Sequence, residues 1–132
     1  MRTRRYAPYV IKDGSKEILE FPVSVAEVLG IPVCFFGGGY LRLFPYFLIR
    51  KMAYRVLKEN RPLIFYLHPR EIDPDHPRLP MNLQRRFKSY VNLKTTWQKI
   101  DRILGSFPFM TFETYIKEYK ASLEGDKDAD PR

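Results

Sequence analysis

Two histidines are the side chains of this sequence best suited to proton transfer near neutral pH, and both lie in one polar loop. His68 directly follows an apolar run at residues 63–67, and Glu71 and Asp73 come soon after it. A nearby carboxylate can orient an imidazole and raise its pKa toward the range useful for general acid or base catalysis. The spacing therefore makes His68 a candidate catalytic residue, although a histidine that only hydrogen-bonds the loop backbone would fit the same pattern.

The second histidine, His76, lies close to Asp73 and Asp75, a composition that could also bind a metal ion. Three polar residues within four positions of a loop rarely converge on one ion, however. A proline-punctuated turn over residues 73–77 explains the same residues more simply. We therefore predict no metal site and no cofactor in this chain.

Three consecutive glycines at residues 37–39 form a second candidate motif. A phosphate-binding loop would need a following Lys-Ser/Thr pair or GxGxxG spacing, and the sequence offers neither here. Glycine also permits a close approach of the backbone to another element or to an extended ligand. In the latter case Tyr40 and Arg42 would lie beside the ligand.

The elements that must position these residues can be predicted from hydrophobic periodicity. Residues 63–67 are apolar without alternation, which is typical of a strand buried on both faces. Further strands are predicted at residues 17–22, 31–36 and 107–110, helices at 45–60, 82–91, 95–105 and from 111, a helical turn at 24–29 and an irregular segment at 2–15. This alternation predicts an α/β fold with mainly parallel strands flanked by helices. Active sites in such folds gather at the carboxyl ends of strands, which again indicates His68.

Composition predicts a single folded domain. The chain has 132 residues, of which 45% are hydrophobic and 15% aromatic, values too apolar for a disordered chain. We predict a domain at residues 1–123 and a disordered tail at 124–132, which is rich in Gly, Asp, Lys and Ala. Charged residues interrupt every apolar run before it reaches the roughly 18 residues that a membrane helix needs. We therefore expect no membrane segment.

The single cysteine and the N-terminal residues indicate the compartment. Cys34 lies in an apolar run and is expected to behave as a small buried hydrophobe, which fits a reducing compartment. The basic start of the chain lacks the apolar block of a secretion signal. We therefore expect a cytoplasmic protein.

The net charge of +8 raises the question of nucleic-acid binding. Basic residues cluster on two predicted helices: Arg50, Lys51, Arg55 and Lys58 on the first, and Arg85, Arg86 and Lys88 on the second. Such residues are typical of the solvated face of a helix, and no nucleic-acid-binding module pattern accompanies them. The sequence therefore disfavours a nucleic-acid partner.

Three stretches together resemble one family: residues 18–22 (ILEFP), 37–45 (GGGYLRLFP) and 65–74 (FYLHPREIDP), with residues 86–93 (RFKSYVNL) following at a suitable distance. In this order they resemble the C-terminal region of NodB-like polysaccharide deacetylases linked to exosortase and exopolysaccharide gene clusters. That region is a domain of unknown function that follows the NodB domain. The resemblance runs from about residue 17 to residue 115.

The resemblance implies a fold, a reaction and a set of roles. Members of the family remove acetyl groups from N-acetylated sugars of polysaccharides on a distorted (β/α) barrel, of which this chain would form the C-terminal part. An Asp and two His hold a divalent metal, a further Asp is the base, and a His after a late strand is the general acid. His68 matches that late-strand histidine, and Tyr40, Arg42 and Glu71 are the residues that would line the sugar groove.

Two departures from the family pattern limit what the chain can do alone. Arg70 stands where relatives usually have a Trp after His-Pro, so that a charge replaces a flat apolar wall. The family's Asp-Asp and His-x-x-x-His motifs precede the matching region in relatives, and this sequence contains neither. We therefore expect a metal, zinc by resemblance, only in a complete enzyme, and little catalysis from this chain alone. The alternative is a non-catalytic interaction or assembly module that pairs with an N-terminal deacetylase half or with itself through open sheet edges.

Overall fold

A computed structural model of the chain describes residues 6–127, with side chains through residue 122. The chain divides into two compact units, residues 1–100 and 101–132. Within the described residues the strands are β1 (Tyr9–Asp13), β2 (Lys16–Glu20), β3 (Ala26–Val28) and β4 (Ile31–Val33). The helices are α1 (Gly38–Leu43), α2 (Tyr46–Lys58), α3 (Leu83–Tyr90), α4 (Leu93–Ser106) and α5 (Phe112–Lys127), with one turn of 3₁₀ helix at Pro69–Glu71.

Two antiparallel hairpins begin the first unit. β1 pairs with β2 across a turn at Gly14 and Ser15, so the segment expected to be irregular contains a strand. β3 lies where a helical turn was predicted, and it pairs with β4, which lies within the strand predicted at residues 31–36. The reason lies in Leu29 and Gly30, which have φ angles of 52° and 77°. Two consecutive residues with positive φ form a turn of the kind that matches the twist of a hairpin, and they reverse the chain instead of ending a helix.

Helix α2 has the amphipathic pattern predicted from the sequence and supplies much of the core of the first unit. Its apolar face is buried, with Ile49, Met52, Ala53 and Val56 inside. The helix contacts β3 and ends where Asn60, at a φ of 53°, leads the chain toward Pro62. The prediction of this helix is confirmed.

The segment after α2 is extended and is held by neighbours on both sides. Buried Ser24 donates a hydrogen bond from its hydroxyl to the Pro62 carbonyl (3.1 Å) and accepts one from the Ile64 amide (2.8 Å). Farther along, Tyr66 forms a parallel bridge with Gly37. The sequence predicts a strand at residues 63–67 that is buried on both faces, whereas the structure has a single bridge at Tyr66 and these residues are half-buried or exposed.

The sequence predicts part of a (β/α) barrel, in which the strands would be mainly parallel. The two sheets among residues 6–127 are both antiparallel, and the parallel bridge between Gly37 and Tyr66 lies outside both of them. The mainly parallel (β/α) arrangement remains a prediction.

The later helices agree with the sequence pattern. α3 and α4 lie where helices were predicted, although α4 begins at Leu93, two residues earlier than expected. In the second unit the Thr111 hydroxyl accepts a hydrogen bond from the Thr114 amide (3.2 Å), as expected for a residue that caps α5. The strand predicted at residues 107–110 does not form: the chain bends at residue 107, and residues 108–110 are in neither a helix nor a strand. Helix α5 runs to Lys127, and the rest of the predicted tail, residues 128–132, lies outside the described residues.

Among the described residues, no helix combines the length and the apolar character needed to cross a membrane. Cys34 is half-buried, between β4 and the buried Phe35.

Candidate functional site

His68 is exposed and lies at the start of the 3₁₀ turn, immediately after the extended segment. Both of its backbone polar groups are bound to Glu71. The His68 amide donates to Oε2 of Glu71 (3.1 Å), and the His68 carbonyl accepts from the Glu71 amide (2.9 Å). The backbone of an exposed histidine is therefore fixed by a carboxylate whose residue is only 2% exposed.

The imidazole itself rests against one aromatic ring. The centroids of Tyr66 and His68 lie 4.7 Å apart, with the ring planes at 79°, an edge-to-face arrangement. Tyr66 is about half exposed, with a relative exposure of 52%. The contact packs the His68 ring against Tyr66, while His68 remains exposed to solvent.

The triple glycine fixes the position of Tyr66. A Cβ atom on Gly37 would lie 2.6 Å from the Tyr66 carbonyl oxygen, a distance that real side chains do not tolerate. The Tyr66 amide donates to the Phe36 carbonyl (3.0 Å), and the Gly38 amide donates to the Tyr66 carbonyl (3.2 Å). Gly38 has a φ of 54°, which favours glycine. The interpretation of these glycines as a site of close backbone approach is confirmed.

Arg42 and Glu71 lie beneath the loop as a buried pair of opposite charges. Their side chains are 4% and 3% exposed, and Nη2 of Arg42 is 3.9 Å from Oε1 of Glu71. Nη2 of Arg42 donates to the Lys88 carbonyl (2.9 Å) and Nη1 donates to the Ser89 carbonyl. Burial lowers the pKa of Arg42, and the charge of Glu71 partly opposes that effect. The prediction that these two residues line a sugar groove remains a prediction, and their contacts show that they also support the loop.

The fourth predicted site residue, Tyr40, lies in the first turn of α1 and is 51% exposed. Its ring stacks on that of Phe44, with centroids 5.9 Å apart and planes at 11°. The structure therefore joins His68, Glu71 and Arg42 in one network and orients Tyr40 separately.

Lys99 and Asn92 belong to the same network and were not singled out from the sequence. Nζ of Lys99 donates to the carbonyls of Leu41 (3.1 Å), Arg42 (2.6 Å) and Phe44 (2.8 Å) at the end of α1. The side-chain amide of Asn92 also donates to the Arg42 carbonyl (3.1 Å). Burial lowers the pKa of Lys99. No local spacing could reveal these bonds, because the partners are about 50 or more residues apart in the sequence.

Tyr90 is a further residue that the sequence did not reveal, and it anchors the second half of the loop. Its ring stacks with that of His76 at 5.5 Å, and the guanidinium of Arg78 lies 4.2 Å from the ring centroid. Nδ1 of His76 lies 2.6 Å from the Asp73 carbonyl, and Oδ1 of Asp73 accepts from the Asp75 amide (3.0 Å). These local hydrogen bonds fit the structural turn predicted for residues 73–77.

The described side chains do not fit a metal ion. Through residue 122 they include no group of three or more His, Cys, Asp or Glu residues arranged to hold one. The carboxylate of Glu71 is occupied by the His68 amide and lies beside the Arg42 guanidinium. Among the side chains of this site, the exposed imidazole of His68 is the group that could transfer a proton.

The fold and the site together define a mixed α and β domain that presents one exposed histidine on a loop supported by a buried charge pair. The chain belongs to the family described as a domain of unknown function (DUF3473), whose family model matches residues 1–117. Searches of curated proteins and of solved structures found no match.

Proposed function

We propose that this chain is the C-terminal portion of a polysaccharide deacetylase that acts on N-acetylated sugars, and that His68 is its general acid. The observation that carries the proposal is the exposed imidazole with a fixed backbone. Its amide and carbonyl are both bound to Glu71, and its ring is in edge-to-face contact with Tyr66. The resemblance of residues 65–74 to the late-strand motif of such enzymes supports the assignment.

The proposed chemistry requires one proton from this chain. When the amide C–N bond of an N-acetylated sugar breaks, the departing sugar amine must gain a proton. Protonated His68 supplies that proton from its ring and becomes neutral. General acid catalysis of this kind contributes typically about 10² to 10⁴-fold to the rate, provided the acid is held within hydrogen-bonding reach. The fixed backbone of His68 serves that requirement.

The rest of the active site must come from another polypeptide segment. No group of side chains described here fits a metal ion, so a divalent ion such as zinc would be held by an N-terminal deacetylase half. We propose that the two parts assemble in the cytoplasm around the polysaccharide substrate. Acetate release by this chain alone is expected to be negligible.

The test is to co-express the chain with a deacetylase half that carries the missing Asp and His motifs, and to measure acetate release from an N-acetylated oligosaccharide. The His68→Ala variant should lower kcat by about 10²-fold or more. His76→Ala is the matched control, because it removes the other histidine of the same loop and should retain most of the activity. A His68→Ala complex as active as the unsubstituted complex would refute the general-acid role.

An interaction module is the second candidate, and helix α3 favours it. No residue of α3 is buried, and its apolar residues Leu83 and Phe87 are 83% and 59% exposed. Exposed apolar side chains one turn apart on a helix are typical of a surface that another element covers. Size-exclusion chromatography with light scattering should then show self-association that the Leu83→Ser, Phe87→Ser double variant abolishes. A monomer at all concentrations would exclude self-association.

A further inference from the structure

The backbone of His68 depends on a buried carboxylate, and a buried carboxylate needs a partner. Taking an ionised group out of water is costly unless an opposite charge and hydrogen bonds compensate. Glu71 has both compensations on its two oxygens. Oε2 accepts from the His68 amide at 3.1 Å, and Oε1 faces Nη2 of Arg42 at 3.9 Å.

The guanidinium of Arg42 is in turn bound at the C-terminal end of helix α3. Its two terminal nitrogens donate to the carbonyls of Lys88 and Ser89, in the last turn of α3, where the helix dipole favours a cation. The carbonyl of Arg42 itself accepts from Asn92 and Lys99. The guanidinium is therefore bound to the backbone of α3 rather than to the loop, and it lies beneath Glu71.

We propose that Arg42 is a positioning residue for His68 that acts through Glu71. The order of contacts is the end of α3, the Arg42 guanidinium, the Glu71 carboxylate and the His68 amide. The guanidinium lies opposite the carboxylate and holds it in place, and the carboxylate fixes the backbone from which the imidazole projects. The catalytic consequence rests on the proposed function, whereas the positioning itself is a property of this chain and can be tested without activity.

The test measures hydrogen exchange of the His68 amide by NMR in the isolated chain. Arg42→Met leaves the carboxylate buried without its cation, and we expect protection of the His68 amide to fall at least tenfold. Glu71→Gln keeps an acceptor oxygen and removes the charge, so protection should fall less than threefold or so. The double variant Arg42→Met, Glu71→Gln removes both charges together and should recover most of the protection lost in Arg42→Met.

Arg86→Met is the matched control, because Arg86 is an exposed arginine on α3 and its loss should leave the His68 amide unchanged. If Arg42→Met does not fold, as judged by circular dichroism, Arg42→Lys replaces it. Lysine keeps the charge and cannot donate to two carbonyls from a planar fork, so we expect a severalfold loss that is reduced by adding Glu71→Gln. Unchanged protection in the folded Arg42 variant, or a double variant no better than the single one, would overturn the proposal.

Activity of the reconstituted enzyme separates this inference from the proposed function. If both hold, Arg42→Lys should lower kcat severalfold with little change in KM, and adding Glu71→Gln should restore part of it. If amide protection changes as expected while the His68→Ala complex keeps its acetate release, Arg42 positions the loop and His68 is not the acid.

Discussion

Gly37 is the position where the structure allows the strictest prediction, because a single methyl group would meet backbone. In Gly37→Ala the new Cβ atom would lie 2.6 Å from the carbonyl oxygen of Tyr66 and 3.1 Å from its Cβ atom. The φ of Gly37 is −164°, which any residue adopts, so the effect of the substitution is purely steric. The backbones of Gly37 and Tyr66 must move apart to accommodate the new methyl group.

The loss in the free energy of unfolding follows from the hydrogen bonds that this movement breaks. The bridge contains two hydrogen bonds, from the Tyr66 amide to Phe36 and from the Gly38 amide to Tyr66. Each contributes about 0.5 to 1.5 kcal/mol, and a forced backbone shift in a packed region costs about 1 to 3 kcal/mol more. Alanine also reduces the entropy of the unfolded chain, which returns about 0.4 to 1 kcal/mol. The free energy of unfolding should therefore fall by about 3 kcal/mol, the middle of a range from about 1 to 6 kcal/mol.

Urea unfolding followed by circular dichroism measures this change, with an expected drop in the midpoint of about 1 to 2 M. Gly105→Ala is the matched control, because Gly105 lies within α4 and a Cβ atom there meets nothing within 4 Å. The control should gain up to about 1 kcal/mol from improved helix propensity. If Gly37→Ala is as stable as the unsubstituted chain, or if Gly105→Ala loses equally, the close-approach argument fails.

Two further substitutions test the support of the site. Ser24→Ala removes two hydrogen bonds from a buried position, so it should lower the free energy of unfolding by about 2 kcal/mol. It should also expose the Ile64 amide to hydrogen exchange. Ser15→Ala, at an exposed turn, should be neutral. Lys99→Met removes the Nζ donor from three carbonyls at the end of α1, of which the Arg42 carbonyl keeps its bond from Asn92. The free energy of unfolding in urea should fall by about 1 to 3 kcal/mol, against no change for the exposed Lys94→Met. Burial lowers the pKa of Lys99, so the unfolded chain binds this proton more tightly than the folded chain. The stability that Lys99 contributes should accordingly rise with pH between the lowered pKa and the ordinary lysine pKa, and it should be lost as the pH falls through the lowered pKa. If the stability difference between the unsubstituted chain and Lys99→Met decreases with rising pH in that window, this reasoning is wrong.

The parts of the fold that could be predicted from sequence are those with a local cause. The amphipathic repeat of α2 gives its buried face, and the glycines at 37–39 indicate a close approach. The β3–β4 hairpin could not be predicted because it requires Leu29 at a φ of 52°, a conformation that leucine rarely adopts. A leucine at this position therefore does not indicate a turn. The side chain is 97% exposed, so the strained residue carries no packing signal either.

The residues of the site also divide into those that could be predicted from the sequence and those that could not. His68 was predicted from its place after an apolar run, and the structure shows it exposed there. The support beneath it is made of long-range bonds, such as those from Lys99 to the end of α1, which no periodicity records. Sequence reasoning therefore finds His68, Glu71 and Arg42, and it misses Lys99 and Asn92, which bind the backbone of Arg42.

Helix α1 shows why those missed residues matter. With six residues it is far too short to be stable by itself, since isolated helices need roughly 12 to 15 residues even to be marginal. Its start is fixed by the bond from Gly38 to Tyr66, and its end by Lys99 and Asn92. Because Arg42 lies on this helix, loosening either end should displace the guanidinium beneath Glu71 and, with it, the backbone of His68. The two ends of α1 are therefore coupled to one imidazole, and Lys99→Met should reduce amide protection at His68 as well as global stability.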